Sequence, residues 1–109
     1  MDTELNRDLL AQIVLMGREL DRAEPELRGV IDRLGEDEQA ALVAVMWIGR
    51  GAFEAEEWLE ALDTAAAEAT TPCADYILGT PHFTDHIEAG MEAMGEELGE
   101  SESGLIHFA

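Results

Sequence analysis

Apolar residues recur along this chain at spacings of three and four, and strict apolar–polar alternation is absent, so the pattern predicts helices throughout. Leu5, Leu9, Ile13, Met16 and Leu20 share one face of a first helix that Thr3 or Asp2 can cap. Pro25 is expected to end it, because the residue before a proline is pushed away from helical angles. The same proline then suits the first turn of a short second helix carrying Leu27, Val30, Ile31 and Leu34, which Gly35 stops. In EDEQAALVAVMWIGRG, acids at 36–38 lie at the positive end of a helix dipole and Arg50 lies at the negative end. Ala40 to Ile48 between them is apolar almost all round, which marks a helix buried on most sides, with Gly49 and Gly51 breaking it.

A fourth helix is expected from about Glu54 to Ala69, with Trp58, Leu62, Ala65, Ala66 and Ala69 inward. A short helix around Cys73 to Leu78 and a longer one from Pro81 to about Leu98 follow. The predicted fold is all-α: a compact bundle of five or six helices with a central buried helix. Residues 1–98 form one helical domain, and 99–109 a polar tail with an apolar end at Leu105, Ile106 and Phe108.

The length of 109 residues fits one modest core. No apolar run is long enough for a membrane span, and the acidic N-terminus is unlike a secretory signal. A single cysteine makes no internal disulfide, so a cytoplasmic location is expected. Charge changes the picture most. The chain has 25 acids, six arginines and no lysine, for a net charge of −19. All six arginines fall in residues 1–50 beside 11 acids; residues 51–109 hold 14 acids and no base. Such a surface repels nucleic acid and anionic membranes, which need Lys or Arg to neutralise phosphate. The acidity reads either as a solvated surface suited to salt and solubility or as a face for a basic partner.

The stretch TPCADYILGTPHFTDH, residues 71–86, comes nearest to chemistry. Thr71-Pro72 and Thr80-Pro81 read as helix starts, and Gly79 as a left-handed helix stop. His82 and His86, four apart, share a helix face at the spacing of paired metal ligands. Asp75, Cys73 or His107 would supply a third ligand, and Phe83 stands where a zincin needs its general-base glutamate. The ordinary reading is that both histidines lie at the core boundary. Cys73 reads as a small buried apolar residue, although a helix start favours thiolate. Arg50 with the Gly51 N–H could hold a small anion, or Arg50 could cap its helix and bridge acids of the fourth. No Walker loop, Rossmann glycine pattern or nucleophile elbow is present, and no cofactor is expected.

The segments MWIGRGAFEAEEWLEAL and ADYILGTPHFTDHIEAGMEAM resemble the bacterial domain-of-unknown-function family numbered 3775. The similarity lies in Trp47 to Gly51, Glu56 to Trp58, Asp75 to Pro81 and Asp85 to Gly90, about half the chain. It implies fold-defining turns at Gly49, Asp75, Tyr76, Gly79 and Pro81, an Arg50–Asp75 contact, and no particular activity. The family pattern has an apolar residue and a tyrosine where this chain has His82 and His86, so it implies no shared metal site.

Two functional readings follow. The leading one is a non-enzymatic, all-helical protein acting through protein contacts, most simply as a homodimer. The alternative is a small metal-dependent or anion-binding enzyme using His82, His86 and Asp75, or Arg50 and Gly51.

Overall fold

The computed structural model describes residues 7–95. The expected cap at Thr3 or Asp2, Leu5, the helix end at Leu98 and the tail with His107 lie outside the described residues. The described chain forms six α-helices: α1 (Arg7–Arg18), α2 (Leu20–Asp32), α3 (Glu36–Arg50), α4 (Trp58–Ala67), α5 (Cys73–Leu78) and α6 (Phe83–Met94). A 3-10 turn at Ala55–Glu57 leads into α4. Its start is fastened by a capping box between Glu54 and Glu57, with Glu54 N donating to Glu57 Oε1 at 2.8 Å.

The break between the first two helices falls at Glu19, and Pro25 lies inside α2. Glu19 leaves helical angles (φ −119°, ψ 41°), and its carbonyl accepts from Arg22 N and Ala23 N to start the new helix. Asp21 and Pro25 are both exposed, so the carbonyl that loses its helical donor to the proline faces water. The bend lets α1 bury Leu10, Ile13 and Val14 against α6 while α2 buries Leu27 and Ile31 beside α5. One straight helix could not serve both.

The central helix follows its pattern closely. Ala40, Ala41, Leu42, Ala44, Val45, Met46, Trp47 and Ile48 are all buried. α3 ends in a left-handed Gly51 (φ 93°), whose N–H bonds Ile48 O while Ala52 N bonds Trp47 O. This pair of bonds closes the last carbonyls in a Schellman motif. Gly49, expected at the turn, belongs to the helix and does another job. A Cβ on Gly49 would overlap the His86 carbonyl, and one on Gly90 would overlap the Val45 carbonyl. The two glycines let α3 and α6 cross backbone to backbone.

The later helices differ from expectation in their starts. Asp75 and Tyr76 lie within α5, and Gly79 ends it in a right-handed conformation (φ −82°, ψ −7°). The left-handed residue is His82 (φ 62°, ψ 30°), which caps α6, so the helix starts at Phe83 and not at Pro81. Thr80 Oγ1 therefore does not cap α6; it donates back to Tyr76 O at 2.8 Å. No side-chain cap forms at Pro72 either. On α4 the buried residues are Ala61 and Ala65, with Trp58 and Leu62 half-buried and Ala66 exposed.

Arginines of the first two helices tie them to the last two. Arg18 donates to Glu88 at 2.7 Å and Asp85 at 3.3 Å, Arg28 to Asp75 at 2.6 Å, and Arg7 to the Gly95 carbonyl at 2.7 Å.

Candidate functional site

One flank of α3 carries Glu36, Ala40, Val43 and Trp47, spaced by four, three and four, so they form a single stripe. The stripe faces the end of α4, residues 68–72 and α5 across a cavity of about 540 Å3. Small side chains leave this space open. Ala65, Ala66 and Ala69 occupy the opposite wall, where leucines would have filled the gap. Ala66, Ala69 and Pro72 are exposed, so the cavity is a groove open to water.

Trp47 organises the wall. Its ring stacks on Phe53 with centroids 5.9 Å apart, and its Nε1 donates to the Tyr76 hydroxyl at 2.9 Å. Cys73 closes the floor, with Sγ 3.8 Å from the Gln39 carbonyl it faces, and Gln39 Nε2 donates to Ile31 O at 2.9 Å. Burial first, and the negative charge of Asp32 second, push the Cys73 thiol up from 9.0 to about 11. The thiolate is thus suppressed despite the helix start, and Cys73 behaves as the small, inert residue its composition indicated. Glu36, Asp37 and Glu68 stand exposed on the rim, and no arginine is among the lining residues.

The candidate metal residues do not come together. His82 is exposed outside α6, so it does not share a helix face with His86, which is half-buried within α6. Asp75 is paired with Arg28, whose Nε also donates to Glu24 at 3.0 Å. Those bonds, Asp75 first, hold Arg28 more firmly in its charged form. Among the described residues, no three His, Cys, Asp or Glu side chains converge as a metal site requires. The expected Arg50–Asp75 contact does not form: both α2 and α3 pack against α5, and it is Arg28 of α2 that pairs with Asp75. Arg50 is exposed at the end of α3, and the Gly51 N–H that was to join it on an anion is bonded to Ile48 O. Pro81 is exposed in the turn before α6.

The sequence singled out Trp47 and Tyr76 in separate motifs, but only the fold reveals that they bond to each other. The groove residues Ala66, Glu68 and Ala69 carried no chemical signal, since a void is defined by what the side chains lack.

A small all-helical domain with an apolar, acid-rimmed groove is the class that this arrangement defines. Over residues 24–96 the chain matches the family model described as Protein of unknown function (DUF3775), and it belongs to that family. The match begins within α2, so α1 lies outside it. A comparison with curated proteins finds no match, and one with solved structures finds none. Among the described residues no helix is long and apolar enough to cross a membrane.

Proposed function

We propose that the chain is a non-enzymatic interaction module that works by binding another protein. The observation that carries this reading is the groove itself. Its inner wall is largely aromatic and aliphatic, and two polar groups there are bonded within the fold: the Trp47 N–H to Tyr76 and the Cys73 thiol to Gln39. A catalytic cleft needs a nucleophile or base with a tuned pKa in reach of substrate. Here the titratable side chain with a marked shift is Cys73, and the shift removes reactivity. The acidic rim supports a basic partner and disfavours nucleic acid.

A second copy of this chain is the weaker partner for this face. Each copy carries −19, and four of its six arginines, Arg7, Arg18, Arg22 and Arg28, are engaged within the fold. The enzyme alternative rests on His82, His86, Asp75, Arg50 and Gly51, whose separation and internal bonds give it no support.

Native mass spectrometry of protein purified without a histidine tag tests the reading, because it weighs oligomer and bound metal together. We expect a metal-free chain. Stoichiometric metal that survives dialysis and disappears in His86→Ala would sink the proposal in favour of the enzyme.

A further inference from the structure

We infer that the groove between α3, α4 and α5 is the docking site for a cationic, amphipathic peptide segment: one or two large apolar side chains flanked by arginine or lysine. This rests on the interaction reading and gives the partner its chemistry. Three properties of the groove select that occupant.

The first is its apolar depth. Trp47, Val43, Ala40 and Ala65 line the inner wall, and a cavity of about 540 Å3 lies within the range of sites that take sizeable ligands. Water on that inner wall finds the Trp47 N–H and the Cys73 thiol already bonded within the fold. Apolar side chains that displace it gain by leaving solvent themselves.

The second is the sign of the rim. Glu36 and Asp37 on one lip and Glu68 on the other are exposed, and the lining residues include no base to neutralise them. An apolar surface between carboxylates on both lips suits an apolar side chain between cations. Such pairing at the edge of an interface speeds encounter and sets specificity. It also disfavours an acidic segment as the occupant.

The third is the open shape. Ala66, Ala69, Thr70, Thr71 and Pro72 are exposed along one side. An extended or helical segment can therefore lie along the groove and lower its side chains into it, whereas a small molecule would find no enclosing roof. Peptide recognition by helical grooves works in this way.

The test uses the full chain and a fluorescently labelled twelve-residue peptide with two arginines on each side of a leucine–phenylalanine pair. One twin replaces the arginines with glutamine; a second replaces the leucine and phenylalanine with alanine. Fluorescence anisotropy at two salt concentrations reads affinity, and amide chemical-shift mapping reads location. The expected result is that each twin binds at least about tenfold more weakly than the parent. Shifts should cluster around Val43, Ala66, Ala69 and Tyr76. Ala66→Trp, which fills the groove from an exposed position, should weaken the parent peptide about tenfold or more. Ala69→Trp serves the same purpose if the first variant folds poorly by circular dichroism. Asp37→Lys with Glu68→Lys should weaken it most at low salt.

If the alanine twin binds as tightly as the parent, the contact is mere adsorption of charge to an acidic surface, and the inference falls. It falls equally if both tryptophan variants fold and bind the parent unchanged, or if no peptide binds at all. None of these outcomes touches the metal and oligomer measurement, so the broader interaction reading fails or stands separately.

Discussion

On its α6 side, α3 meets its neighbour backbone to backbone at Gly49 and Gly90; on its α4 and α5 side, it faces open space bounded by alanines. Val45 and Gly49 lie roughly 160° around the helix from Ala40 and Trp47 at 3.6 residues per turn, so one helix carries both. The contrast comes from where the small residues stand. Glycine at the crossing removes the last obstacle between two helices and draws them together. Alanine at the groove removes bulk between elements that are held apart by other means, with residues 68–72 as the spacer. Small residues thus seal one flank and open the other.

The comparison breaks most visibly at the sealed flank. Gly90→Ala places a methyl group against the Val45 carbonyl, a backbone atom that cannot swing aside. We expect a loss of about 3 kcal/mol, read as a drop in the urea midpoint, whereas Ala66→Ser on the open flank should leave it almost unmoved. Equal effects would mean that the two flanks are not built differently.

Cys73 sharpens the contrast next. Its thiol is raised to about 11, so at pH 8 the folded chain should react with iodoacetamide roughly a hundredfold more slowly than the chain in denaturant. The linkage has a definite sign. Because the unfolded thiol loses its proton first, the contribution to stability is full below 9.0 and is lost as pH rises toward about 11. A folded thiol that reacts at the denatured rate would place Cys73 outside the groove floor.

Tyr76→Phe should cost about 1 kcal/mol, since it removes the acceptor of the Trp47 N–H and little else. Fluorescence of Trp47 should change with it, and a double substitution with Trp47→Phe should cost less than the sum of the two. Additive losses would show that the bond does not couple the wall.

The smallest effect belongs to Arg18→Gln. Its pairs with Asp85 and Glu88 are exposed, so the melting midpoint should fall slightly at low salt and recover as salt screens the charges. A loss that persists at 1 M salt would require a packing role for the arginine.

How far the sequence reveals this molecule depends on the kind of feature. α3 was legible because Ala40–Ile48 is apolar on every side, a pattern that little but a buried helix satisfies. The Glu19 bend was not, because it answers to what α1 and α2 each pack against, and no local residue encodes that. Pro25 misdirected the boundary: a proline in an exposed turn removes one hydrogen bond that water can replace. The paired histidines rested on helical continuity back to residue 82, which the left-handed turn at His82 interrupts. Asp75 was recognised as structural, but its partner Arg28 stands 47 positions away and nothing in the spacing names it.

The glycine crossing also governs the order in which the chain can acquire its structure during synthesis. The helix that covers the sealed flank of α3 is the last of the described helices to be made, and Arg18 and Arg7 wait for Glu88 and Gly95 in the same segment. The most apolar stretch, Ala40 to Ile48, therefore leaves the ribosome well before its cover. Over that interval its protection falls to whatever meets nascent chains and to the charge that surrounds it, so a high density of carboxylates keeps unfinished copies apart.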